Sequence, residues 1–450
     1  MRWRATHEAR WAAADDRRSC LPAALRVGLV LMLLALVPLA YVRDRFAFHP
    51  DRGWVDDQRL TLEPFVKPVV AENGFDEYQR AVGLMIESPS APPNPTGVRE
   101  WEKLEKAPPA ELADAVDTNR AALEALHAAA DKIYVSPAEP DPDMLFDWLA
   151  NFRKLARLAA ADVWVQHRRG RDAAALGRAR DGLAMAANLP LEGSLIESLV
   201  GDSCAGIIAR PAFAVLAESR LPASEYRAHA HYMRTLRERQ QPFSRTLHFE
   251  SKLLTDWLVK AMEHDRESVR ALLSSTSPND IRRLEYQVCM ATYDSDAARV
   301  WYADRYARLM VEADKPFGES HLAELSERTK GAADERNDLL GGDAFPMVSK
   351  PYDKFLARTA TLIAQETAAA IGAYRAERGR LPESLEDLVP AYLPELPPDP
   401  FTGDPLKYNR VPDGYQLYSV SANRIDDGCR PWREDLYDGD LVFVPVLPRP

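Results

Sequence analysis

Residues 191–216 read LEGSLIESLVGDSCAGIIARPAFAVL, and this stretch decides what kind of fold the chain has. Between Glu197 and Arg210 its only charge is Asp202, while Leu195, Ile196, Leu199, Val200, Cys204, Ile207, Ile208 and Val215 recur at helical spacing on one broad face. A helix this apolar has to be covered by other elements, so it is read as the central helix of a mainly α body. Pro211 is expected to kink it or divide it in two, because proline cannot donate to the helical ladder.

The flanking sequence keeps the same period. FDEYQRAVGLMIES (75–88), PAELADAVDTNRAALEALHAAADKI (109–133) and DMLFDWLANFRKLARLAAADVWVQHRRG (143–170) each place apolar residues at i, i+3, i+4 and i+7. Between them stand Pro89, Pro92, Pro93 and Pro95, then Pro137, Pro140 and Pro142, which break helices. Further helices are predicted at about 222–238, 244–265 and 279–312 from the same periodicity. No repeat near 34 or 40 residues recurs, so residues 73–345 are read as an irregular helical bundle or array.

Character changes near Gly341, Gly342 and Pro346. A last long helix, 352–378, carries Leu356, Ala360, Ile363, Thr367, Ala370, Ile371 and Tyr374 on one stripe, expected to pack on a sheet. Twelve of the 34 prolines then fall in the last 70 residues, and LKYNRV (406–411), YQLYSV (415–420) and DLVFVPV (440–446) alternate as strands do. Residues 350–450 are therefore expected to form a small α+β module with an antiparallel sheet.

The whole chain has 450 residues, 46% of them hydrophobic and 28% charged, which is ordinary globular material. Its net charge of −11 argues against a general nucleic-acid binder, since phosphate recognition needs a positive surface, and permits cationic partners or divalent metal ions. Glycine is scarce, and no P-loop, dinucleotide fingerprint or H-E-x-x-H occurs.

At the other end, residues 21–42 read LPAALRVGLVLMLLALVPLAYV, apolar apart from Arg26. A spanning helix needs about 20 residues, and Arg26 can snorkel to the head groups, so the run is read as an uncleaved transmembrane anchor. A cleaved signal peptide and a buried core helix are the competing readings. A cut after Ala40 or Ala47 would put Pro38 or Arg45 where a small residue belongs. Arg2, Arg4, Arg10, Arg17, Arg18 and Arg26 outweigh Arg43, Arg45 and Arg52, which favours a cytoplasmic tail at 1–20 and an exported body. In a bacterium this is a single-pass inner-membrane protein with its bulk in the periplasm. Residues 43–72, with Pro50, Pro64 and Pro68 among mixed charges, read as a tether. Four cysteines, Cys20, Cys204, Cys289 and Cys429, form no C-x-x-C pair. Cys204 with Cys289 is the one disulfide entertained; buried free thiols are the alternative.

The text AYRAERGRLPESLEDLVPAYLPELPPDPFTGDPLKYNRVPDGYQLYSVSANRIDDG (373–428) carries spaced elements in order: Ala373, Tyr374, Gly379 and Pro382; Asp399, Pro400, Gly403, Pro405 and Tyr408; Tyr415, Leu417, Tyr418 and Ser419. In these positions it resembles the soluble domain of the type II secretion major pseudopilin and related type IV pilin-like proteins. The resemblance covers about 85 residues. Here about 300 residues separate the apolar run from the module, and no G-F-x-x-x-E processing site precedes that run. A reused module is therefore expected rather than a polymerising subunit. The resemblance implies a calcium ion in the acidic terminal loop, held by carboxylates and carbonyls. In residues 423–440 stand Asp426, Asp427, Glu434, Asp435, Asp438 and Asp440. Asp427 and Asp440 are the first-choice ligands, with Asp426 and Asp438 next, since calcium takes six to eight oxygens.

Catalytic signatures are weak. Gly201-Asp202-Ser203-Cys204-Ala205-Gly206 is one residue too long for a nucleophile elbow and lies in a helical stretch, where small residues permit close packing. Glu225 and His229 share a helix face, with His248 and Glu250 on the next helix; convergence of the four would make a metal site. Trp148, Trp164, Trp257 and Trp301 lie in apolar helical stretches and read as core. The expected function is binding or scaffolding among protein partners of the cell envelope. An exported metal-dependent hydrolase with its site in the helical body is the alternative.

Overall fold

The computed structural model describes residues 60–86, 109–139, 147–263, 295–335, 345, 347–412, 414–433 and 437–444. The expected transmembrane run at 21–42, the tail at 1–20 and Cys289 lie outside the described residues. In chain order the helices are α1 (Gly74–Gly83), α2 (Pro109–Thr118), α3 (Arg120–Ala130), α4 (Asp147–Arg168), α5 (Asp172–Asn188), α6 (Leu195–Glu218), α7 (Ala223–Glu238), α8 (Phe243–Glu263), α9 (Ser295–Ala313), α10 (Leu322–Glu335) and α11 (Ser349–Arg378). Three strands follow: β1 (Lys407–Val411), β2 (Gly414–Ser419) and β3 (Leu441–Val444). The fold is mainly helical, with one small antiparallel sheet ordered β1-β2-β3. The chain divides into two units. Of the first, only 259–263, 295–298 and 331–335 are described, the ends of α8 and α10 and the start of α9. Everything below concerns the second, 56–258, 299–330 and 345–450.

The central helix is α6. Its N-terminus is capped by Ser194, whose hydroxyl accepts from Glu197 N while the Glu197 carboxylate takes Ser194 N–H, a reciprocal capping box. By length and composition α6 could cross a bilayer, yet 61% of its most apolar window is buried within the fold. It packs on α4, α5, α11 and β3. Pro211 does not divide it: the helix runs on to Glu218, because Pro211 and its neighbours Ile208, Ala209, Ala212 and Phe213 are held in the core. Tertiary packing there outweighs the roughly 3 kcal/mol a helix-interior proline costs. Nor is the apolar face a single buried one. Ile196 and Leu199 are 49% and 38% exposed, while small residues such as Ala205, Ala209 and Ala212 are buried.

Close approach to α5 depends on glycine. A Cβ on Gly201 would lie 2.7 Å from the Ala186 carbonyl oxygen and 3.0 Å from the Pro190 ring, both rigid neighbours. Gly201→Ala is therefore expected to destabilise by about 1–3 kcal/mol despite alanine's better helix propensity, read as a lowered urea midpoint. Gly206 is different: nothing lies within 4 Å of its would-be Cβ, so G-D-S-C-A-G is a packing motif at one end only.

Residues 109–133, read as one periodic stretch, form two helices broken at Asn119. The buried Asn119 amide accepts from Ile86 N at 2.7 Å and donates to Ile86 O and Ala115 O, so a tertiary contact interrupts the local pattern. The expected tether is also shorter than drawn. Residues 60–67 are strapped to the body, with Phe65 buried between the His248 and Phe249 rings and the Arg245 guanidinium 4.1 Å over its face. Leu60 N donates to Asp304, His248 Nε2 to the Glu63 carbonyl, and Lys67 Nζ to Ser136 O at 2.9 Å and to Ala138 O. Prolines signalled an extended chain, and an extended chain can pack. Residues 43–59 lie outside the described residues.

Helix α11 is buried over most of its circumference between residues 360 and 374 and packs chiefly along α7 and α6, with smaller contacts to β2 and β3. Its stripe is thus not reserved for the sheet, as expected from its spacing alone. Gly372 lets Tyr226 in: a Cβ there would meet the ring at 2.6 Å. One apolar core consequently runs from Tyr78 through α4, α5, α6 and α11 to Leu417 and Val444, and 73–345 and 350–450 share it rather than each burying its own. Cys204 is a free, fully buried thiol in that core, its Sγ 3.8 Å from Phe152 O.

Candidate functional site

The C-terminal motif positions turn out to be the joints of the α11–sheet unit. Gly379, at φ +70°, caps α11 in the left-handed conformation that favours glycine, its N–H on Arg375 O. Pro382 offers its carbonyl to the Tyr408 hydroxyl at 2.9 Å, which ties the exit of α11 to β1. Tyr374 and Tyr392 pack with ring centroids 5.4 Å apart. Asp399 folds the following loop: its carboxylate accepts from Phe401 N, its carbonyl from Gly403 N, and its own N–H bonds Asp404 O. Gly403 completes that turn at φ +81°. Tyr415, Leu417, Tyr418 and Ser419 are buried along β2, which pairs with β1 in the register Tyr408 to Leu417 and with β3 through a bulge at Leu417/Tyr418.

The acidic loop follows β2. Asp440 is fully buried, and its two oxygens accept the backbone N–H groups of Asp427, Cys429 (2.7 Å) and Arg430. Asp426 Oδ1 accepts from the Tyr418 hydroxyl and Gly428 N. Asp427 Oδ2 accepts from Asn423 Nδ2 and Gly439 N, and Oδ1 from Arg430. Asp438 takes both Arg430 nitrogens, at 2.7 and 2.8 Å, and Arg433 Nη2 at 3.2 Å. These guanidinium bonds, Arg430 first, hold Asp438 down to about 2, and the Arg430 bond lowers Asp427. Gly439, at φ +105°, sits where a Cβ would strike the Pro431 and Arg430 carbonyls at 2.7 and 2.9 Å, so the two sides of the loop cross backbone on backbone. Glu434 and Asp435 lie outside the described residues.

The metal quartet proposed from sequence does not assemble. His229 is buried between α7 and α11, with Nε2 3.0 Å from Gln365 Oε1, whose own amide donates to Ala209 O. That partner fixes the proton on Nε2, and burial pushes the imidazole down to about 4, so it is neutral. His248 is spent on the strap, and Glu250 accepts from Leu195 N at 2.6 Å. Among the described residues no group of three or more His, Cys, Asp or Glu side chains is placed to hold a metal ion. Trp301 is fully buried, Trp148 and Trp164 are half-buried, and the Trp257 side chain lies outside the described residues.

A polar hub with no catalytic motif to announce it surrounds the start of α6. Glu197 accepts from the Ser136 hydroxyl at 2.6 Å as well as from Ser194, and Glu250 caps Leu195 N from α8. Both carboxylates lie at a helix N-terminus, where the dipole favours negative charge. Burial nevertheless raises both, Glu250 to about 7, and lowers Lys67 beside them. The S-x-x-E spacing of Ser194 and Glu197 was the legible signal; the Glu250 contact, 55 residues away, had none. The hub joins strap, loop 133–139, α6 and α8, a structural brace.

No protein-family model, curated protein or solved structure matches this chain.

Proposed function

We propose that the chain is a single-pass, membrane-anchored, extracytoplasmic protein of the bacterial envelope that binds or scaffolds other proteins and carries a pseudopilin-like module at residues 350–450. The carrying observation is that Gly379, Pro382, Asp399, Gly403 and Tyr408 occupy successive joints between α11, the loop and the sheet. Each of these residues has a structural task in the segment, which supports reading their order as one motif. The 21–42 run and its basic flank support the anchor. The scaffold reading is preferred to the hydrolase alternative because His229, His248 and Glu250 are each engaged in a different contact.

The test uses the tagged full-length protein in bacterial membranes. Protease added to spheroplasts should digest the body, and native-membrane purification should recover components of a secretion or pilus assembly. Leu417→Asp, which places a charge in the buried sheet, should abolish that recovery while the protein stays membrane-bound. Retention in the soluble fraction, or a body protected from protease in spheroplasts, would overturn the anchor. Unchanged recovery with Leu417→Asp would overturn the role of the module.

A further inference from the structure

We infer that Arg430 is the acidic loop's own cation: its guanidinium, bound to Asp427 and Asp438, ties residues 423–433 to 437–440 in the place of a metal ion at Asp426, Asp427, Asp438 and Asp440. The inference depends on the loop alone and not on the envelope reading above.

The donor set carries it. Calcium is held by six to eight oxygens that present lone pairs. Around Asp426, Asp427, Asp438 and Asp440 the structure instead presents hydrogens. Asp440 faces the N–H groups of residues 427, 429 and 430. Asp426 faces a tyrosine O–H and Gly428 N–H. Asp427 faces Asn423, Gly439 N–H and Arg430. An ion entering between Asp427 and Asp438 would have to expel the guanidinium that binds both. The calcium expected at these four residues therefore does not fit them.

Arginine is suited to the replacement. Its planar fork meets the Asp438 carboxylate bidentately, at 2.7 and 2.8 Å, and its charge stays on at any pH the protein meets. Single surface ion pairs are worth little, but a bidentate pair inside a network is the exception, and here Arg433 joins from the other side. Backbone closure is arranged around the same residue. Asp440 N donates to Arg430 O at 2.6 Å, Trp432 N to Asp440 O, and Arg433 N to Asp438 O. The cation and the crossing of the two sides are thus one structure.

Hydrogen exchange of the full-length protein reads this directly, following the peptide that spans 421–444 with a peptide from α4 as internal control. In the unsubstituted protein, exchange of 421–444 should be the same in excess calcium as in chelator. Arg430→Gln should accelerate it by about tenfold or more, as expected when a charge-assisted clasp opens locally, with α4 unchanged. Arg430→Lys keeps the charge and loses the fork, and should fall between the two. Faster exchange of the unsubstituted protein in chelator would overturn the inference, as would Arg430→Gln exchanging at the unsubstituted rate. If Arg430→Gln unfolds throughout, raising α4 exchange as well, the comparison rests on Arg430→Lys, and unsubstituted behaviour there overturns the inference.

Discussion

Replacing Asp202 with alanine is expected to destabilise the protein by about 3–5 kcal/mol, because it strands a buried guanidinium. Asp202 of α6 and Arg358 of α11 form an ion pair whose side chains are only 8% and 3% exposed. Arg358 otherwise has the Ser198 carbonyl and the face of Phe355. Arginine does not shed its proton, so nothing relieves the charge once Asp202 is gone. Burial, opposed by the Arg358 charge, still pushes Asp202 up to about 6, which shows how costly the site is for ions. The double replacement Asp202→Leu with Arg358→Met removes both charges and should return to the original stability or exceed it by about 1–4 kcal/mol. Urea unfolding of the four proteins closes the cycle. A single variant within about 1 kcal/mol of the original would show that the pair is solvated and not buried.

The second large effect is one of pH. Glu250 has a folded value of about 7 against an ordinary 4.5, with burial as the main cause and the Glu197 charge adding to it. The native state therefore holds this proton more tightly than the unfolded chain. Its contribution to stability is complete below pH 4.5 and is lost as the pH rises through 7. At about 1.4 kcal/mol per unit, the loss approaches about 3 kcal/mol. Glu250→Gln keeps an oxygen to accept from Leu195 N and cannot ionise. Its stability relative to the original should thus rise by about 2–3 kcal/mol between pH 4.5 and pH 8. His229, neutral with a depressed value, acts with the opposite sign between 6.5 and 4, but it is present in both proteins and cancels in the difference. A difference flat with pH, measured by urea titration at each end, would mean that Glu250 is ionised in contact with water.

Both predictions come from contacts that only the fold assembles: Glu250 reads in the sequence as a possible metal ligand, and its place at the start of α6 has no local signal. Asp202 reads as the lone charge in an apolar run and as part of G-D-S-C-A-G, and Arg358 lies 156 residues further on, so their pairing leaves no local pattern. The polar hub shows the boundary well. Ser194 and Glu197 meet within one helical turn and are readable, while Ser136, Lys67 and Glu250 reach them through loop, strap and α8. The acidic loop shows it again. Its carboxylates could be counted from the sequence, but whether lone pairs or hydrogens face them depends on where the backbone turns, at Gly428, Cys429 and Gly439.

By itself the sequence determined the mainly helical class, the positions of α4, α6, α7, α8 and α11, the three strands, and the glycine and proline joints of the C-terminal segment. These follow from periods of 3.6 and 2 and from backbone preferences that act over a few residues. Tertiary structure alone decided that α6 runs through Pro211, that α11 lies chiefly among helices, that residues 60–67 are fastened down, and that Arg430 sits between Asp427 and Asp438. In each case the outcome was set by burial and by contacts between residues distant in sequence or brought round by a turn. Such contacts decide which of several locally acceptable conformations is kept.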